Sequence, residues 1–124
     1  MSEPERPMRD TELLAELYRE LESDKAVLKA LADRGDNPTL PHAVEHHFLA
    51  PSEAALRRLI VLGQHLGFAP TDIGREDGGT LYSCNLVSHT STVLPGVHRE
   101  SLLMRLLGLA HGVDYDGWGT SVEE

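Results

Sequence analysis

One short pattern occurs twice along the chain. Leu62-Gly63 and Gly67-Phe68 recur as Leu107-Gly108 and Gly112-Val113, an offset of 45 residues. In each copy the first glycine sits inside an apolar stretch of helical spacing, and the second is followed by a residue suited to a strand. A glycine on a helix face lets the helix approach a sheet closely. A glycine just past the helix takes the left-handed conformation that turns the chain into the next strand. Two β-α-β halves need both devices in the same places, so the repeat supports an α+β architecture.

The segments around the repeat complete the pattern. A helix is predicted over residues 10–34, with Leu14, Leu17, Leu21, Leu28 and Leu31 on one stripe and Leu13 and Val27 beside it. Asp10 or Thr11 can cap its start, and Gly35 followed by Pro38 ends it. Asp24 interrupts the stripe and Ser23 could cap a second helix, so one bent helix or two short ones both fit. A strand over 42–49 sends Val44, His46 and Phe48 one way and Glu45 and His47 the other. Pro51 and Ser52 open a helix closed by Gly67. Residues 68–73 form a strand that Pro70 confines to an edge, and Asp77-Gly78-Gly79 makes a hairpin turn into a strand over 81–88. Pro95-Gly96 leads into the last helix, Gly112 ends it, and Val113 to Tyr115 begins the fourth strand.

After the leading helix the order is β-α-β-β-α-β. That is the split βαβ arrangement of a ferredoxin-like sandwich: a four-stranded antiparallel sheet with two helices on one face, preceded by an N-terminal helix. The expected organisation is a flexible tail over 1–9, a helical segment over 10–35 and the ferredoxin-like domain over 36–122, all in one globular unit.

Charge is distributed unevenly. The net charge of −9 divides into −4 for residues 1–40, −1 for 41–112 and −4 for 113–124, where there is no base. Acidic ends repel phosphate backbones, so direct nucleic-acid binding is not expected, and they attract a basic protein surface. The sheet face that could bind RNA would hold Glu45 and His47, with Ser83 and Asn85 or Tyr82 and Cys84. It lacks the stacked rings and basic surroundings of an RNA platform. The lone Cys84 fits a reducing compartment. The start Met1-Ser2-Glu3-Pro4-Glu5 predicts no signal peptide, no stretch approaches transmembrane length, and a cytoplasmic location follows.

No catalytic signature is present. The chain has neither a P-loop, a dinucleotide fingerprint nor a nucleophile elbow, and no cofactor is expected. Of the seven histidines, His46 and His47 are adjacent on a strand and face opposite sides, so they cannot easily share one ion. Glu45 and His47 share a face and could form an acid/base pair, or supply two ligands where zinc usually takes three or four. The alternatives to a protein-binding regulator are therefore a small ligand- or metal-binding domain using Glu45 and His47, or an interaction module with an unknown partner. His46 fits a core histidine with a local hydrogen-bond partner.

Asp114 to Thr120 gathers the single tryptophan, a tyrosine and two glycines. Asp116-Gly117 reads as a turn dipeptide, Gly119 as a bulge at a strand end, and Tyr115 and Trp118 as anchors over the sheet edge. The same rings could equally be contact residues for a partner. Together with Glu45-His46-His47 and the Gly35-Asp36-Asn37-Pro38 break before the first strand, Tyr115-Asp116-Gly117-Trp118-Gly119-Thr120 resembles the regulator of ribonuclease E activity B family, over about residues 28–121. The resemblance implies a non-enzymatic regulator that binds ribonuclease E, outside or alongside its catalytic half, and inhibits or redirects RNA cleavage. It carries over no catalytic residues. The protein-binding candidates are Glu45, His47, Tyr115, Asp116 and Trp118. The best-known member continues into a long acidic tail, whereas this sequence stops at Glu123-Glu124; the resemblance leaves the oligomeric state open.

Overall fold

The computed structural model describes residues 9–75 and 79–124. Among the described residues it is α+β, with three helices and a five-stranded antiparallel sheet. Helix α1 spans Asp10–Asp33, strand β1 His42–Ala50, helix α2 Glu53–His65, β2 Ala69–Pro70, β3 Gly74–Arg75, β4 Tyr82–Thr90, helix α3 Leu94–His111 and β5 Asp114–Gly119. The sheet order is β2-β4-β1-β5, with β3 also on β4.

Pro70 explains the fifth strand. Having no N–H, it cannot continue a ladder; of the expected strand over 68–73 only Ala69–Pro70 is strand, and a second two-residue piece, Gly74–Arg75, lies just beyond it, both on β4. Thr71 bridges the gap: its amide donates to the Asn85 carbonyl at 2.9 Å and its hydroxyl accepts from the Asn85 amide at 2.8 Å. The Asp77-Gly78 part of the predicted hairpin turn and residues 1–8 of the predicted tail lie outside the described residues.

Helices α2 and α3 cover one face of the sheet. Their Leu56, Leu59, Met104 and Leu107 pack with Phe48, Cys84, Leu86 and Tyr115 in one core cluster. Burial alternates along β1, with Val44, His46 and Phe48 inside and Glu45 and His47 outside. Ser83, Asn85 and Val87 stand on the open face of β4, opposite Leu49, His47 and Glu45, which resolves the register that the sequence left ambiguous.

Both repeated glycines sit at close approaches. A Cβ at Gly63 would meet the Leu86 side chain at 2.6 Å, and one at Gly108 would meet the Val113 carbonyl oxygen, also at 2.6 Å. The first neighbour is a side-chain end and the second is backbone, which cannot step aside without moving the start of β5. Gly108→Ala is expected to lower stability by about 3 kcal/mol and Gly63→Ala by about 1 kcal/mol. Urea melts check the order, and a larger loss at Gly63 would contradict it.

Helix α1 is one continuous 24-residue helix. Its N-cap position is Arg9 rather than Asp10 or Thr11, with no side-chain cap bond; Asp10 lies in the first turn, where a carboxylate complements the helix dipole. Ser23 caps nothing, because the polar break at Asp24 is a buried binding position within the helix. The face of α1 turned towards α3 is polar: Glu16, Glu20 and Asp24, spaced by four, meet His98, Ser101 and Arg105. The leucine stripe turns partly outward.

Candidate functional site

The two motifs of the sequence lie side by side. Strand β1 pairs antiparallel with β5, placing Glu45 opposite Gly119, His46 opposite Trp118 and Phe48 opposite Tyr115. Between the last two pairs, one residue of β1 (His47) faces two of β5 (Asp116 and Gly117), so the strand carries a bulge there. Gly117 has φ +85°, a conformation that residues with a Cβ rarely adopt. The bulge is at Asp116-Gly117, not at Gly119 as the sequence suggested, because the positive φ is needed where the extra residue is inserted.

That insertion governs where the aromatics point. Residues three apart on a regular strand face opposite sides of a sheet. With one extra residue absorbed, Tyr115 and Trp118 both face the helices, and they are 8% and 6% exposed. Trp118 packs with Leu31, Val44 and Val97. Thr120 donates its hydroxyl to the Ala43 carbonyl at 2.8 Å and extends the tie to β1.

Buried hydrogen bonds join these rings to the helices. The Trp118 Nε1–H donates to Asp24 Oδ1 at 2.8 Å, while the Asp24 Oδ2 accepts from Ser101 Oγ at 2.5 Å and His98 Nδ1 at 2.7 Å. Asp24 has no exposed surface. Beside it, burial and then the Asp24 charge push the Glu20 carboxyl above its ordinary pKa, with Arg105 opposing them. Arg105 pairs with Glu16 at 3.1 Å and lies over the Tyr115 ring, 5.6 Å from its centre.

A second set centres on His46, which is fully buried. Its Nδ1 lies 2.7 Å from the Tyr115 hydroxyl, and its Nε2–H donates to Glu100 at 2.7 Å. Glu100 also accepts from the Ser88 hydroxyl. Burial, together with the charges of Glu20 and Asp24, pushes the Tyr115 phenol far above its usual range, so it remains a neutral hydroxyl. His46 is thus a core histidine, as expected, but its partners come from β5 and α3 rather than from neighbouring residues.

A third set clasps the end of the chain. His42 Nε2 pairs with Asp36 Oδ1 at 2.7 Å and Nδ1 with the Leu40 carbonyl at 2.6 Å. Asp36 Oδ1 also accepts the Glu123 amide at 2.9 Å. Burial alone would lower the His42 pKa, but acceptors at both nitrogens raise it; the Glu123 amide and His42 together lower that of Asp36 against its own burial.

The remaining candidates stand on the other side of the sheet. Glu45 and Asp116 are exposed and His47 is half-buried. His47 Nδ1 donates to Asn85 Oδ1 at 2.8 Å. The site residues therefore divide between two faces: Tyr115 and Trp118 inward, Glu45, His47 and Asp116 outward. Among the described residues, no three His, Cys, Asp or Glu side chains are grouped to hold a metal ion. Burial pushes the Cys84 thiol up to about 11. No helix among the described residues is long and apolar enough to cross a membrane.

Sequence reasoning missed the partners Glu20, Asp24, His98, Ser101 and Arg105. The signal for them was present: acids at every fourth position of α1, matched by polar residues at three- and four-residue steps on α3.

Comparison with known proteins places this arrangement. The family described as Regulator of ribonuclease activity B matches residues 21–120. A protein of that name from Xenorhabdus nematophila is 29% identical over 111 residues, covering 87% of this chain and 79% of its own. One from Photobacterium profundum is 30% identical over 116 residues, covering 88% and 86%. The Escherichia coli K12 protein is 26% identical over 112 residues, covering 88% and 81%. The matched region includes Asp24, Glu45-His46-His47 and the whole β5 motif, and the chain belongs to the Regulator of ribonuclease activity B family.

Proposed function

We propose that this chain is a non-enzymatic, cytoplasmic regulator that binds an RNase E-type endoribonuclease directly and inhibits or redirects its cleavage of RNA. The observation that carries the reading is the family match over residues 21–120. Two features support it. His47, the histidine read as an acid/base partner of Glu45, is hydrogen-bonded to Asn85, and His42, His46 and His98 are held within the fold by Asp36, by Tyr115 and Glu100, and by Asp24. The net charge of −9 favours a basic protein surface as partner.

Within this reading, Tyr115 and Trp118 hold the fold, and Glu45, His47 and Asp116 supply the contact from the open sheet face. We take the fold as ferredoxin-like, with β2 and β3 as one interrupted strand, and residues 36–122 as one domain to which segment 10–35 is joined through Asp24. The sheet order β2-β4-β1-β5 supports this.

The test is a cleavage assay with the host ribonuclease, with and without the protein. Cleavage is expected to fall or change its pattern. The doubly reversed variant Glu45→Lys with Asp116→Lys is expected to bind at least about tenfold more weakly, with unchanged thermal stability. Unchanged cleavage together with no binding by calorimetry would overturn the proposal; binding that survives the charge reversal would move the contact off this face.

A further inference from the structure

Leu31, at the far end of the α1 stripe that the sequence marks as core, is buried, but the N-terminal half of that stripe does not serve as core. Leu14 and Tyr18 are 53% and 67% exposed, and Leu17 and Leu21 are half-buried. These four residues, with Leu102 and His98 of α3, line an apolar cleft of about 260 Å³ between the two helices. Leu106, one turn along α3 from Leu102, is 49% exposed. Isolated exposed leucines are ordinary, but a contiguous patch at helical spacing marks an interface.

We infer that this cleft is a self-association surface, occupied by α1 of a second copy of the chain. The exposed face of α1 is symmetric about its own midpoint. A two-fold contact requires a surface complementary to itself. Let two copies of α1 cross antiparallel about a point between Leu17 and Tyr18. Each Leu14 then meets the other copy's Leu21, and each Leu17 meets the other's Tyr18. Asp10 and Lys25 continue the same helix face one turn beyond either end, and both are exposed. In that register Asp10 meets Lys25 of the second copy, once at each end of the contact. An apolar centre with opposite charges at both rims is the composition of a specific interface. The parallel crossing would set Asp10 against Asp10 and Lys25 against Lys25, so the charges select the antiparallel one. Leu102 and Leu106 form the walls, giving a four-helix arrangement of two α1 and two α3 helices.

Sedimentation of the full chain over a range of concentrations tests this. The mass is expected to rise from 13.6 kDa towards twice that value as concentration increases. Tyr18→Glu, at an exposed position, is expected to weaken dimerisation by at least about tenfold, with an unchanged thermal melt. Asp10→Lys and Lys25→Asp should each weaken it, and the two together should restore it. A wild-type chain that stays at 13.6 kDa up to about 1 mM would overturn the inference. So would a dimer indifferent to Tyr18→Glu, or charge variants that fail to rescue one another. A monomeric wild type whose ribonuclease binding is lost in Tyr18→Glu would assign the cleft to the ribonuclease instead.

Discussion

Asp24→Ala is expected to lower the unfolding free energy by about 3–5 kcal/mol, which is the scale for removing one partner from a buried charged group. The carboxylate has no exposed surface and accepts from Trp118, Ser101 and His98. Its removal strands donors from β5 and α3 in a space water cannot readily fill, and each stranded donor costs the desolvation it no longer recovers. A domain of this size has a total stability of about 5–15 kcal/mol, so the variant should be close to unfolding at 37 °C. Asp24→Asn keeps one acceptor oxygen and should fall between wild type and alanine. Urea unfolding followed by circular dichroism gives the midpoints, and an unchanged slope would show that the denatured state is not responsible. A loss below about 1 kcal/mol for Asp24→Ala would mean that the seam is structurally idle.

Trp118→Ala is the second large effect, about 3–5 kcal/mol, from the lost indole and the cavity left among Leu31, Val44 and Val97. Trp118→Phe separates packing from hydrogen bonding: it keeps a ring in place but orphans Asp24 Oδ1. In a double-mutant cycle, Trp118→Phe should cost less in the Asp24→Ala background than alone, because the bond it removes is already gone. At a temperature where Trp118→Phe is fully folded, ribonuclease binding should match that of the wild type. Normal stability with lost binding in Trp118→Ala would reverse the assignment and make the indole a contact.

The sequence made the paired β-α-β halves legible because their devices are local. A helix glycine and a cap glycine each act within a few residues, and the repeat at 45 residues exposed both. The alternation along β1 was legible for the same reason. The α1–α3 seam was not. Leucine spacing in residues 14–31 signals an apolar face, whereas the face that α3 takes is set by Glu20 and Asp24, whose partners are 74 to 94 residues away. A polar residue inside an apolar stripe reads as an interruption until its distant donors are known. The inward turn of both Tyr115 and Trp118 was hidden too, since simple alternation would separate them.

The bulge at Asp116-Gly117 acts on β5 as a frameshift acts on a message. Upstream of it the strand is in frame with Phe48 and Leu49, and downstream with Glu45 and His46. Loss of one residue there would leave the first half unchanged and reverse every facing in the second. The indole would then stand among the polar groups of the open face, and Asp24 Oδ1 would lose its donor inside. Length at this point is therefore under stricter control than residue identity, and the dipeptide behaves as a single indivisible symbol.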